Sequence, residues 1–178
     1  MDAVQERIEA FGRLEPDDDG ECHGKSTIIE ELEDRLDDER VLSFFLKVIA
    51  DPSELDLARL AALKIFQLWK APTKEAHVRV GRHLAQALPK EEDILIQQWI
   101  AIAAENFASV PEVFAAAAKL VADSEVDLDV RHNCLSVIER LRGTEQAKKV
   151  LRPLVADEQL GVHVRRILSE RESRRTNG

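Results

Sequence analysis

Two stretches of this chain, 34 residues apart, read nearly alike: "VADSEVDLDVRHNC" from Val121 and "VADEQLGVHVRRIL" from Val155. Self-similarity at a period of roughly 20 to 50 residues means an array of like supersecondary units, each too small to bury its apolar face alone. The register runs further back along the chain. Asp51, Pro89, Asp123 and Asp157 close the first half of each unit, at intervals of 38, 34 and 34 residues. Eight residues beyond them stand Arg59, Gln97, Arg131 and Arg165, which keep the same intervals. Two markers in step through four units constrain the fold more than any other feature of the sequence.

Each unit reads as two helices. The first members are predicted at 39–50, 74–88, 111–122 and 145–156, the second at 55–69, 92–107, 128–142 and 161–172. Apolar residues recur at three and four, as in Leu42, Phe45, Leu46 and Ile49 or Cys134, Leu135, Ile138 and Leu141, which places them on one helical face. Second helices such as "LARLAALKIFQLW" are apolar nearly all round and are therefore expected to be buried on more than one side. Ser109 with Glu112, and Thr27 with Glu30, have capping-box spacing, the former with Pro111 in the first turn. Gly143-Thr144 ends one helix and starts the next, and Pro52, Pro72 and Pro89 sit where helices should break. No alternating run suggests a strand. Upstream, "AVQERIEAFGRL" and "STIIEELEDRL" read as amphipathic helices around the loop "EPDDDGECHGK", an irregular pair of the kind that closes one end of an array.

The totals fit this picture. A chain of 178 residues, 44% apolar and 33% charged, is one globular domain of ordinary size. No run approaches the roughly 18 to 20 apolar residues of a membrane span, and Met1–Ala10 lacks the basic start and apolar stretch of a signal peptide. Two cysteines are too few for a disulfide scaffold. A cytoplasmic protein is expected. The net charge of -9 is uneven: residues 1–39 hold 15 acidic and 4 basic side chains, a balance of -11, whereas residues 140–178 hold 5 acidic and 10 basic, a balance of +5.

With its units aligned, the chain resembles the HEAT and HEAT-like (armadillo-type) repeats. The echoes are "DLDVRHNCLSVIERL" and "LGVHVRRIL", with "DLARLAALKIF" as a looser copy. The resemblance implies an all-α fold, a right-handed α-α superhelix (solenoid) of about four HEAT-like helical hairpins with an N-terminal helical cap. In these terms residues 1–38 form the acidic cap, with a loop at 15–25; the hairpins occupy 39–70, 74–107, 111–142 and 145–172; and 173–178 are a disordered tail. The resemblance also implies a ladder between neighbouring units, in which Asp51, Asp123 and Asp157 would pair with Arg59, Arg131 and Arg165. The second unit, with Pro89 and Gln97, keeps neither residue.

Chemistry-bearing patterns are sparse. Asp17, Asp18, Asp19, Glu21, Cys22 and His23 combine metal-ligand types, but so short a stretch of loop does not easily wrap one ion, and a mobile acidic loop is the simpler reading. One iron-dependent hydroxylase family among HEAT-like enzymes uses His-Glu pairs; here the five histidines precede Gly24, Val78, Leu84, Asn133 and Val164, so those ligands are missing. No nucleophile elbow, P-loop or dinucleotide fingerprint occurs. The chain is expected not to be an enzyme and to carry no cofactor.

Two binding classes remain. Arg165, Arg166, Arg171, Arg174 and Arg175 offer a basic C-terminal repeat for nucleic acid, but a pI near 5.1 argues against phosphate-driven affinity. The leading expectation is a non-catalytic adaptor or scaffold that binds another protein on its helical surface, with no membrane partner. The candidate contact positions are Gln67 and Lys70 in the first unit, Gln97, Gln98 and Glu105 in the second, His132, Asn133, Ser136, Glu139 and Arg140 in the third, and Arg166 and Glu170 in the fourth. The acidic start suggests an alternative, an inhibitor or immunity-type protein that neutralises a basic effector.

Overall fold

The computed structural model describes residues 2–16 and 22–175. Those residues hold ten α-helices and no strand: α1 (Ala3–Phe11), α2 (His23–Leu32), α3 (Glu39–Ala50), α4 (Asp56–Leu68), α5 (Lys74–Ala87), α6 (Ile94–Glu105), α7 (Pro111–Ala122), α8 (Leu128–Arg140), α9 (Glu145–Leu154) and α10 (Gly161–Arg175). A single 3-10 turn, Glu33–Arg35, follows α2. No described helix is long and apolar enough to cross a membrane.

Side-chain caps explain where most of these helices begin. Asp2, Asp38, Thr73, Asp93, Asp127 and Thr144 each accept a hydrogen bond from a backbone N–H of the first turn, which satisfies donors the helix itself leaves open. Asp93 is why α6 starts at Ile94, two residues later than its pattern suggests. Two predicted capping boxes do not form. Val110 takes the cap position of α7 without a side-chain bond, and the Ser109 hydroxyl instead lies 3.3 Å from Nε2 of His77. Thr27 sits inside α2, four residues past the helix start, and its hydroxyl donates back to the His23 carbonyl at 2.9 Å, a use open to any mid-helix Thr. The loop expected at 15–25 therefore ends at Cys22. At the other end α10 continues to Arg175, past the expected boundary at 172; the rest of the predicted tail lies outside the described residues.

The helices pack in two rows. Consecutive helices pair as α1·α2, α3·α4, α5·α6, α7·α8 and α9·α10, while α2·α4·α6·α8 and α1·α3·α5·α7·α9 contact in series. One continuous apolar core lies between the rows, from Val4 on α1 to Ile167 on α10. An aromatic chain threads its N-terminal half: Phe11 meets Phe44 edge-on at 4.9 Å, and Phe45, Phe66 and Phe107 follow at 6.3 and 6.5 Å between centroids.

At the α5·α7 crossing the backbones come close because Gly81 has no side chain. A Cβ there would meet Val110 Cγ2 at 2.7 Å. Replacing glycine by alanine inside a helix is worth up to about 1 kcal/mol, but forcing a branched neighbour aside costs about 1–3 kcal/mol. Gly81→Ala is expected to destabilise the wild type and to stabilise the Val110→Ala background. A urea double-mutant cycle with no change of sign would refute the close-approach argument.

The second marker has the same use in every unit. Arg59 donates to the Ile49 carbonyl from Nε at 3.3 Å and Nη2 at 3.1 Å; Gln97 donates to Leu88 O at 3.0 Å; Arg131 to Val121 O at 3.2 Å from both nitrogens; and Arg165 to Val155 O at 2.8 Å. Each reaches back nine or ten residues to a carbonyl at the end of the preceding helix, which that helix cannot satisfy itself. Arg59 and Arg131 also lead to the following unit, and Lys25 and Gln98 make comparable bridges. Lys25 pairs with Glu54 at 2.7 Å, Arg59 with Glu91, Gln98, beside Gln97, with Asp127 at 3.3 Å, and Arg131 with Asp157. The ladder thus differs from its expected form. Only Arg131–Asp157 pairs as foreseen. Asp51 accepts from Ser53 and Asp123 from the Glu125 backbone; Asp157 makes the same kind of turn, to the Gln159 and Leu160 N–H groups, and still has an oxygen for Arg131. Glu54, Glu91 and Asp127, which also bridge units, stand nearer the following helix, and the second unit contributes Glu91 to the bridge and Gln97 to the reach-back bond in spite of lacking both expected markers.

Candidate functional site

The even-numbered helices share an outward face whose register follows from the ladder. Five, eight and nine residues beyond Lys25 are Glu30, Glu33 and Asp34; beyond Arg59, Lys64, Gln67 and Leu68; beyond Gln97, Ile102, Glu105 and Asn106; beyond Arg131, Ser136, Glu139 and Arg140. Contacts between successive helices join these positions into one surface. Lys64 Nζ lies 5.3 Å from the centroid of the Trp99 ring, within cation–π range. Glu105 faces Arg140 at 3.5 Å. The rings of His132 and His163 are 5.9 Å apart, and His163 Nε2 lies 3.8 Å from Glu139.

The face changes character along its length. Its α2 end is acidic. Its middle, on α4 and α6, sets apolar side chains among polar ones: Leu68, at the end of α4, is 80% exposed and Leu95, at the start of α6, 47%, with half-buried Leu60, Ala61, Trp99 and Ile102 and exposed Lys64 and Gln67 on the same face. Asn106 fixes the end of α4 by donating to the carbonyls of Phe66 at 3.1 Å and Trp69 at 2.7 Å. The α8 and α10 end is polar, with His132, Asn133 and Ser136 half-buried and Arg140 and Arg166 exposed.

Among the predicted contact residues, the structure gathers Glu105, His132, Glu139, Arg140 and Arg166, the last with Nη2 at 2.9 Å from His163 Nε2. Asn133 and Ser136 lie beside them on α8. Gln67 and Lys70 are exposed at the far end of α4. Gln98 is half-buried and engaged with Asp127. Gln97, expected outward, spends its amide on Leu88 O inside the hairpin. Glu170 lies on α10, its side chain outside the described residues. Leu68, Leu95 and Trp99 escaped sequence reasoning because an apolar residue on a helix that is apolar all round carries no mark of which side meets water.

The odd-numbered helices present a different surface, laced by the ion pairs Arg40–Asp2 at 2.9 Å, Arg79–Glu39 and Arg82–Glu112 at 2.7 Å. Being exposed, such pairs contribute little stability. A groove of about 560 Å³ runs along α5, lined by Lys74, Val78, Arg79, Arg82, His83 and Gln86. His83 Nε2 is buried with no partner. Burial holds the His83 imidazole below its ordinary value of 6.5, against the opposing pull of a hydrogen bond with the Leu46 backbone, and the nearby Arg79 charge adds to the lowering. In the unfolded chain this ring takes up a proton as pH falls through about 6.5, and in the folded chain only at lower pH. Stability is therefore expected to fall between pH 7.5 and 5.5, above the range where carboxylates titrate. His83→Leu should flatten that slope in urea titrations; an unchanged slope would show that another group sets it.

The two cysteines are free and buried. Burial pushes the Cys134 thiol up to about 12, so it packs as an apolar side chain rather than reacting. Of the loop with metal-ligand types, residues 17–21 lie outside the described residues, while Cys22 is buried and His23 exposed at the start of α2. Among the described residues no three His, Cys, Asp or Glu side chains are gathered as an ion would need. The chain matches no family model, no curated protein and no solved structure.

Proposed function

We propose that this chain is a non-catalytic protein-binding module, a small right-handed solenoid of HEAT-like hairpins whose even-numbered helices form the contact surface. The observation that supports the reading is the exposure of Leu68 at the end of α4 and of Leu95 at the start of α6, one turn before Trp99, on a face where neighbouring units otherwise spend their polar side chains on one another. Large apolar side chains held out to water among polar ones mark a surface that can meet a partner, and an extended row of second helices is the surface such arrays offer. Burying the Leu and Trp side chains on contact supplies affinity; the rim of Gln67, Glu105, Arg140 and Arg166 supplies discrimination.

The test is photo-cross-linking in the native cell extract. A photoreactive residue at Leu95 should yield a discrete adduct that Leu68→Asp abolishes without lowering the melting temperature. The same residue at Lys149, on the odd-numbered row, should yield none. Equal adducts from the two positions would refute the reading.

A further inference from the structure

Resting on that reading, we infer that the α2–α4 part of the apolar face receives a basic amphipathic segment of a partner protein, with an apolar side chain against Leu68 and Trp69 and a guanidinium or ammonium over Glu33 and Asp34. The ground is a contrast between two steps of the row. In the α6·α8 step Glu105, eight residues beyond its marker, faces Arg140, nine beyond the next, at 3.5 Å. At the α2·α4 step the corresponding count falls on Glu33, in the 3-10 turn that follows α2, and on Leu68. An acid that has a guanidinium opposite it in one step thus has an exposed leucine opposite it in another.

The two positions line one concavity of about 270 Å³, with Glu33, Asp34, Ile65, Leu68, Trp69 and Lys70 around it. Lys70 stands at its rim, and among the described residues no ion pair joins it to either carboxylate. Glu33 and Asp34 are exposed, and a cation arriving with the apolar side chain completes the arrangement. An apolar stripe with a basic flank is what one side of an amphipathic helix presents, with anchors three and four residues apart.

Trp69, one of the two tryptophans in the chain, lines this concavity, so the full-length protein reports on its own occupancy. The probes are two capped peptides of about 15 residues, with leucines at three-and-four spacing. One is flanked by arginines; its twin carries glutamates at those places. A third peptide keeps the arginine composition with the leucine spacing scrambled. The arginine peptide is expected to shift tryptophan emission saturably and to bind at least about tenfold more tightly than either control. That preference should shrink from about 50 to 300 mM salt. Glu33→Gln with Asp34→Asn, both on the surface and harmless to the fold, should weaken the arginine peptide about tenfold. Equal binding of the glutamate twin or the scrambled peptide, or indifference to the double substitution, overturns the inference while leaving the wider binding surface standing. No emission change from any peptide at millimolar concentration removes both.

Discussion

Arg131→Ala is expected to lower the unfolding free energy by about 3–5 kcal/mol, the cost of breaking a buried charged network from one side. Arg131 is 1% exposed, and its guanidinium serves three acceptors: Val121 O, Asp157 and Gln159 at 3.0 Å. Removing it opens a void of side-chain size between α7 and α8, orphans a helix-terminal carbonyl and leaves Asp157 without its cation. The Asp157 carboxyl is held below its ordinary value first by the Leu160 backbone N–H and further by Arg131, so part of that lowering should vanish in the variant. Arg165 makes the same bond to Val155 O at 2.8 Å, but it is exposed and water replaces it readily; Arg165→Ala should cost less than about 1 kcal/mol. Urea titration of the two variants separates the bond from its burial. Similar losses would mean that the reach-back bond itself, not the sealed network, carries the energy.

Phe66→Ala should cost a comparable amount, about 3–5 kcal/mol. Phe66 is fully buried on α4, where its ring meets Phe45 at 6.3 Å, Trp69 at 5.6 Å and Phe107 at 6.5 Å, each edge-on. It therefore joins α3, the end of α4 and the turn after α6, and no neighbouring side chain can fill the hole without leaving its own helix. Trp69 loses its nearest ring partner, so its emission should shift to the red in the folded variant. Phe44, half-buried at the edge of the same chain of rings, provides the contrast: Phe44→Ala should cost less than half as much. Chemical unfolding together with tryptophan emission measures both effects. Equal losses at the two positions would show that the rings add area but no linkage.

The helices were legible because their signals are local. The three-and-four spacing of Leu42, Phe45, Leu46 and Ile49 fixes a helix whatever surrounds it, and α3 and α7 begin and end where that spacing and their flanks put them. The thirty-four-residue echo located the reach-back arginines before any contact was known. The acids that bridge units were not legible, because the choice between Asp51 and Glu91 depends on which loop comes within reach of Arg59, and that is decided by how far the next hairpin is displaced. The outward face was legible only where it is polar. Glu105, Glu139 and Arg140 declare themselves, whereas Leu95 and Trp99 look like core until their neighbours are known. Thr27 and Ser109 misled for a related reason: hydroxyl-to-Glu spacing marks a helix start only when the chain enters there, and burial of Cys22, Ile28 and Ile29 began α2 earlier.

Each rung of the ladder, Lys25–Glu54, Arg59–Glu91 and Arg131–Asp157, joins one hairpin to its immediate successor and to nothing beyond. Chain length is therefore something this architecture can alter only in quanta. An insertion or deletion of one whole period is expected to leave each side chain of the seam facing a turn like its own, while a change of half a period strands a buried guanidinium beside the wrong turn.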